Sequence, residues 1–254
     1  MDAMYDEALR NMEQSLEAFA AKVPQPKEVA MGGGYVLRYQ ERDVHQALVQ
    51  KLARLISGLH AARLLLANGF LQEQGALQRI LDEFNEDIQF LTFGIIFGDT
   101  TDLHREYLEA FYQEEFDDPG SAFKSSQKRP MIPRRKIRAY IARITGVAAY
   151  DPSTNLELMR TVDKMYSGFV HGASCHIMEM YYGEPPGFHV RGMLGTTVID
   201  EHREDLWNYF YRSIVSFGLS AKAFGDDVMH ASILKYMNTF ARANGEDYSR
   251  PPKI

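Results

Sequence analysis

The residues best suited to chemistry stand close together in one stretch of the chain, from Leu158 to Tyr182. This stretch contains two of the eight histidines, His171 and His176, and the single cysteine, Cys175. An imidazole can act as a general acid or base near neutral pH, and a thiol can act as a nucleophile when a base activates it. The stretch is therefore the first candidate for a catalytic site.

If residues 158–182 form one helix, in which each residue turns by about 100°, the candidate residues lie on two different faces of it. His176 then lies on the apolar stripe, with Glu179 at its edge three residues later. His171 points almost oppositely, on the same face as Cys175. A buried histidine needs a hydrogen-bond partner, so His176 and Glu179 are either a structural pair or catalytic groups. His171 is either a polar residue that lines a crevice or a catalytic base.

A second candidate set consists of Arg79, Glu83 and Asp87, which are spaced by four residues on the polar flank of a predicted helix. Arg79 can pair with Glu83, whereas Glu83 and Asp87 are like charges at a spacing that mildly destabilises a helix. The set indicates either a ligand-binding site or an ordinary solvated helix face.

A third candidate is a basic tract over residues 124–143, which carries eight positive charges and no acid. Such a tract can follow a phosphate backbone, so RNA or a nucleotide is a candidate partner. Alternatively, the acidic run over residues 106–118 neutralises it. Its candidate ligand-binding residues are Lys128, Arg129, Arg134, Arg135 and Arg138.

A metal site has less support in the sequence. A carboxylate-bridged di-metal bundle needs Glu-x-x-His on two helices and a further Glu on two others, but this chain has only His176-x-x-Glu179, in reversed order. One metal hypothesis remains, with His176 and Glu179 as ligands and Glu83 or Asp87 from a facing helix. The sequence also lacks zinc spacing and a phosphate-binding glycine loop, so no metal or cofactor is predicted.

Helical periodicity runs through most of the chain and predicts the elements that position these residues. Its clearest instance is the apolar stripe from about Leu37 to Phe70. The prediction is an all-α bundle of roughly seven helices in a single domain of residues 1–254. Alternating patterns at 188–191 and 196–199 predict one small β-hairpin near 186–200. Flexible segments are expected near 23–36, 117–132 and 183–200, with a frayed tail over 244–254.

Composition indicates an ordinary globular protein, with 45% hydrophobic and 24% charged residues and a formal net charge of −6. The acidic N-terminus lacks the pattern of a signal peptide, and no apolar run approaches the roughly 18–20 residues that span a bilayer. A single cysteine cannot form an internal disulfide. We therefore expect a cytoplasmic protein with no membrane partner.

The segment Tyr166–Gly172, YSGFVHG, resembles a stretch found in bacterial helical proteins related to the HEPN (higher eukaryotes and prokaryotes nucleotide-binding) group. Residues 63–91 resemble the long paired helices of the same proteins, and the resemblance covers about 60–180. It implies a helical bundle that is either a metal-independent ribonuclease or toxin, or a non-catalytic interaction domain.

The ribonuclease members of that group carry an arginine followed, after four to six residues, by a histidine. No arginine lies at this distance before His171, although the spacing occurs at Arg38 to His45 and at Arg54 to His60. The resemblance therefore favours an interaction or regulatory protein, expected to form homo-oligomers through the aromatic helix at 207–217. The alternatives are an RNA- or nucleotide-directed enzyme that uses His171 and the basic tract, and a metal-binding carboxylate and histidine bundle.

Overall fold

The computed structural model describes residues 2–118, 121–126, 130–144 and 152–246. Lys128, Arg129 and most of the predicted frayed tail lie outside these residues. Within them the chain forms nine α-helices and two antiparallel β-hairpins, which confirms the predicted all-α class. No helix in the described ranges is both long and apolar enough to cross a membrane.

The helices account for most of the described residues, and the strands are short. The first half of the chain contains α1 (Asp2–Ala20), β1 (Lys27–Met31), β2 (Gly34–Arg38), α2 (Val44–Ala67), α3 (Leu71–Ile96) and α4 (Asp102–Tyr112). A 3-10 turn (Ala122–Lys124) follows. The second half contains α5 (Arg134–Arg143), α6 (Pro152–His171), α7 (Ser174–Met178), β3 (Tyr181–Tyr182), β4 (Gly187–Phe188), α8 (Val198–Ala223) and α9 (Asp227–Ala243).

The predicted long helix before residue 70 is α2, and its apolar stripe is buried as expected. Leu48, Leu52, Leu55 and Leu59 are all fully buried. The helix begins at Val44 rather than near 37, because the Asp43 side chain caps it by accepting a hydrogen bond from the backbone N–H of His45 at 3.0 Å.

The predicted flexible connection near 23–36 contains the first hairpin, in which β1 pairs with β2. Its turn lies at Gly32 and Gly33, whose φ angles of 57° and 83° suit glycine. These glycines had suggested only flexibility, whereas the structure uses them for a tight turn. The guanidinium of Arg38 donates to the carboxylate of Glu114 at 2.5 and 2.9 Å, so the hairpin is anchored beside α4.

The second hairpin lies slightly earlier than predicted. Its strands pair Tyr181 with Phe188 and Tyr182 with Gly187. The alternation at 196–199, which had suggested a strand, instead leads into the first turn of α8. An alternation of only four residues is too short to distinguish a strand from the start of a helix.

The predicted single helix over 158–182 is wrong. Helix α6 ends at His171, Gly172 has a φ of 61°, and α7 starts at Ser174. A left-handed glycine just after the last helical residue is a common way to end a helix. The chain therefore turns between the two histidines, and the helical-wheel positions drawn for residues beyond 172 do not apply.

The aromatic residues of α8 belong to the core of the bundle. Trp207, Phe210 and Phe217 are at most 4% exposed. Phe210 lies 4.4 Å from the Tyr5 ring of α1, measured between ring centroids. The prediction that 207–217 is a contact surface is therefore wrong, because these aromatic rings hold α8 inside the bundle.

Candidate functional site

The polar flank of α3 faces inward, where it meets cations from α2 and α5. The carboxylate of Asp87 accepts a hydrogen bond from the Lys51 ammonium at 2.7 Å and is also paired with Arg134. Glu86 accepts a hydrogen bond from the guanidinium of Arg138 at 2.7 Å and a second one from Arg134. Arg134 therefore bridges two adjacent buried carboxylates.

Helix α6 joins this arrangement through Asp163. Its carboxylate accepts a hydrogen bond from Arg138 at 2.9 Å and is paired with Arg79. Arg79 also lies 2.8 Å from the carboxylate of Glu83, as predicted. A chain of alternating charges thus connects α2, α3, α5 and α6. We call it the ionic network, and its members are Lys51, Arg79, Glu83, Glu86, Asp87, Arg134, Arg138 and Asp163.

The cations of the ionic network determine how its carboxylates titrate. Burial acts to raise the pKa of Asp87, but Lys51 and Arg134 outweigh burial and hold that pKa below its usual value. At Glu86 burial dominates and raises the pKa in spite of Arg134. The buried carboxylates also raise the pKa of Arg134, although burial alone would lower it. The arginines are therefore firmly charged and are engaged with protein carboxylates.

The structure brings five of the eight predicted ligand-binding residues together in the ionic network. The interpretation of the α3 set as a solvated face is wrong for Asp87, whose side chain is only 6% exposed. Arg135 is exposed, but it is separate from the network. Arg143 pairs with Asp99 at 3.0 Å. Three cations of the basic tract, Arg134, Arg138 and Arg143, therefore pair with carboxylates of the protein itself. The five residues are Arg79, Glu83, Asp87, Arg134 and Arg138.

The predicted histidine site is divided at the turn between α6 and α7. His171 is exposed, and no hydrogen bond or ion pair joins it to another residue in the described part of the chain. His176 folds back against α6, with Nε2 at 3.1 Å from the carbonyl oxygen of Met165. Its Nδ1 lies 3.2 Å from the Sγ atom of Cys175. The two histidines therefore do not form one site.

Cys175 and His176 are arranged like a nucleophile and its base. If Nε2–H of His176 donates to the carbonyl of Met165, then Nδ1 accepts from the thiol of Cys175. This is the order of contacts that an activated thiol requires, and Cys175 is exposed. His171, placed on the same helix face as Cys175 by the sequence, makes no hydrogen bond to this sulfur among the described residues, since Gly172 turns the chain between them.

Glu179 takes a different partner from the one predicted. Its carboxylate accepts a hydrogen bond from the side-chain amide of Gln72 at 3.3 Å. Burial raises the pKa of Glu179, and nearby His176 partly opposes that shift. His176 is only partly buried, so it is not a core residue. Its ring packs edge-on against the Phe169 ring, with 4.4 Å between the two centroids. The predicted core pair of His176 with Glu179 is therefore wrong.

The ionic network and the two histidines, His171 and His176, lie beside different parts of α3. A Cβ atom added to Gly75 would lie 2.7 Å from the Phe169 ring, which in turn touches His176. Gly75 and Asp87 are twelve residues apart, or about 18 Å at 1.5 Å per residue. The carboxylates at one end of α3 therefore do not reach the imidazoles at the other. Among the described residues, no group of three or more histidine, cysteine, aspartate or glutamate side chains is placed to hold a metal ion.

Three members of the ionic network, Lys51, Glu86 and Asp163, were not among the predicted site residues. One signal could have identified Asp163, since it is the only acid between Glu157 and Glu179. Lys51 and Glu86 carry no comparable local signal. Only the packing of α2 and α5 on α3 shows that they are partners.

Apolar exposure is concentrated in one part of the chain. Among the residues whose side chains the structure describes, nine of the twenty large apolar side chains that are exposed fall within the 30 residues from 165 to 194. We call this region the 165–194 surface. Its apolar members are Met165, Val170, Ile177, Met178, Tyr181, Tyr182, Phe188, Val190 and Leu194.

Comparisons of the chain with models of known protein families, with curated proteins and with solved structures found no match. The HEPN-like resemblance therefore stays a prediction. The arrangement of the chain's own residues has to support any conclusion about function.

Proposed function

We propose that this protein is an interaction or regulatory protein of the HEPN-like type, and that it contacts a protein partner through the 165–194 surface. The observation that supports the proposal is the concentration of exposed apolar side chains over α6, α7 and the second hairpin. Large exposed apolar patches are uncommon on monomeric proteins and usually mark binding surfaces. The partner would bury these side chains.

The charged residues give indirect support to the same proposal. The strongest cluster of ionisable groups, the ionic network, is paired within the protein and joins four helices. Its charged groups are engaged with one another and are not free to bind a substrate, and removing one partner would leave an uncompensated buried charge. The network thus holds in place α6, which carries part of the 165–194 surface.

A charge placed in the 165–194 surface tests the proposal. Val190 is 69% exposed, so Val190→Asp should fold normally but prevent an apolar partner from docking. Val228→Asp is the matched control, since Val228 is 84% exposed on α9, outside this surface. Tagged forms of the three proteins are expressed in the producing cells, and their partners are quantified by mass spectrometry. We expect one partner to be retained by the control and reduced about tenfold or more by Val190→Asp.

Equal recovery of every partner with all three proteins would remove this proposal. Sedimentation equilibrium of the same three proteins identifies a second copy of the chain as the partner, if self-association is lost only in Val190→Asp. That result would support the predicted homo-oligomer. We also infer a cytoplasmic location, because the one cysteine is a free and exposed thiol.

A second candidate function is an RNA- or nucleotide-directed enzyme that uses His171. It is favoured by the exposure of that imidazole without a protein partner among the described residues, since a general base must be accessible to its substrate. Arg135 is exposed on α5 and remains available to a phosphate. Purified protein is incubated with total cellular RNA beside His171→Ala. Cleavage by the wild type alone supports this candidate, whereas equal cleavage by both, or none by either, removes it.

A further inference from the structure

Polar side chains line the contact between α3 and α8 along much of its length. On α3 these are Gln74, Gln78, Asp82 and Asn85, whose spacing of four, four and three residues places them on one face of the helix. We call this contact the polar seam.

Direct hydrogen bonds close one end of the polar seam. Arg212 donates to the carboxylate of Asp82. One turn further on, the Ser216 hydroxyl donates to the side-chain oxygen of Asn85 at 2.7 Å. Each of these α3 side chains is therefore satisfied by a residue of α8.

The other end of the polar seam leaves polar atoms without protein partners. The amide of Gln74 donates to the backbone oxygen of His202 at 3.1 Å, but its own side-chain oxygen accepts nothing from the described residues. The side-chain oxygen and nitrogen of Gln78 and Nδ1 of His202 also have no hydrogen-bond partner among the described residues. Gln74 and Gln78 are fully buried, and His202 is 5% exposed.

Such atoms are costly to leave unpaired. A buried donor or acceptor without a partner has lost its hydration with no hydrogen bond in return, and the large majority of buried polar groups bind either protein or ordered water. Gln74 and Gln78 are one turn apart, or about 6 Å along α3, so a single small molecule can reach both side chains. Several unpaired atoms within one turn point to a common bound partner.

The chemistry of this end of the seam restricts what that partner can be. Burial lowers the pKa of His202 to about 4, so its ring is neutral at physiological pH. The glutamine side chains are also neutral, and the Phe169 ring lies 5.8 Å from the His202 ring. Gln78 presents both a donor and an acceptor. The partner must therefore be small and uncharged, and it must both donate and accept hydrogen bonds.

We infer that this end of the polar seam binds ordered water molecules held by Gln74, Gln78 and His202. Internal waters typically make two to four hydrogen bonds to buried polar groups, and four unpaired atoms are available here. The waters complete the contact between α3 and α8 where the side chains of the two helices do not meet directly.

The test is to count long-lived internal waters by magnetic relaxation dispersion of water and to locate them in a high-resolution crystal structure. Gln78→Met keeps the length of the side chain and removes its hydrogen-bonding atoms. Thr92→Val is the control, because the Thr92 hydroxyl is buried but already donates to the backbone oxygen of Ile88 at 2.7 Å. We expect at least one long-lived water to be lost in Gln78→Met and none in Thr92→Val.

Two results would overturn the inference. The first is an unchanged water count in Gln78→Met. The second is wild-type density in which Gln74, Gln78 and His202 all bond directly to protein atoms, or in which a solute larger than water joins them. The wild-type crystal structure decides the matter even if Gln78→Met fails to fold. Neither result bears on the 165–194 surface.

Discussion

Close contacts of single residues hold α7 against α6. A Cβ atom added to Gly168 would lie 2.0 Å from Cε1 of His176, so only glycine leaves room for that ring. The ring is also held by the carbonyl of Met165. The space that His176 occupies after the turn therefore requires glycine at 168, whereas the helix that contains Gly168 does not.

Replacing Gly168 with alanine should therefore displace His176 and loosen α7. We expect Gly168→Ala to lower the free energy of unfolding by about 1–3 kcal/mol in urea denaturation, as is usual for overpacking. In a His176→Ala background the same change should be neutral or stabilising by up to about 1 kcal/mol, because alanine favours a helix. Equal effects in the two backgrounds would show that the contact with His176 is unimportant.

The buried imidazole of His202 should make the protein sensitive to mild acid. Its pKa of about 4 in the folded state is below the ordinary value of 6.5, because burial disfavours the charged ring. The stability that His202 contributes is therefore complete above pH 6.5 and is lost as the pH falls towards 4. Between pH 7.5 and 5 the loss should be about 2 kcal/mol.

Urea denaturation at pH 7.5 and 5 measures this loss, with His202→Gln as the variant that cannot titrate. We expect the acid-induced loss to be smaller in His202→Gln by about 2 kcal/mol. His171→Gln removes an exposed imidazole and serves as the control, which should behave like the wild type. An identical pH dependence of His202→Gln and the wild type would contradict the prediction.

At the scale of elements, the ionic network determines how α5 and α6 sit on α3. Arg138 of α5 is 4% exposed. It donates hydrogen bonds to the carboxylates of Glu86 on α3 and Asp163 on α6. Removing one partner of a buried ion pair leaves an uncompensated charge in a poorly hydrated place. Ion pairs therefore hold α5 against α3 and α6, in addition to its apolar side chains.

Arg138→Leu should lower the free energy of unfolding by about 3–5 kcal/mol, which is the usual penalty for breaking a buried ion pair. Arg135→Leu is the matched control on the same helix, and its exposed position should limit the change to about 0.5 kcal/mol. Chemical denaturation of both variants at neutral pH measures the difference. Similar losses in the two variants would mean that the ionic network is dispensable.

At the scale of the whole molecule, one hydrophobic cluster contains buried residues from α1 to α9. It includes Phe19 of α1, Leu52 of α2, Phe90 of α3, Ile137 of α5 and Phe240 of α9. Elements that share a core tend to unfold together. The cluster therefore supports the prediction of a single domain.

Calorimetry should accordingly show one unfolding transition whose van't Hoff and calorimetric enthalpies agree. The same midpoint is expected from circular dichroism and from fluorescence of Trp207, which is buried in α8. Two resolved transitions, or different midpoints for the two probes, would contradict the prediction of a single domain.

Local structure could be predicted from the sequence where one pattern repeats over several turns. The α2 stripe repeats every three or four residues over six turns, so its burial could be predicted from spacing alone. The break between α6 and α7 was not predicted, because one glycine such as Gly172 inside a helical pattern does not show whether the helix continues or ends there. Sequence reasoning also assigned the aromatic residues of α8 to a contact surface, because periodicity does not reveal what lies opposite a helix.

The sequence by itself determined the all-α class and the pairing of Arg79 with Glu83, because both depend on neighbours three or four residues away. Tertiary structure alone decided which polar residues face inward. Asp87 pairs with Lys51, which is 36 residues away in the sequence, and Asp82 pairs with Arg212, which is 130 residues away. Such pairs form only once helices have packed. The strength of the attraction between the two charges depends on how much water that packing removes. The same packing leaves the 165–194 surface uncovered.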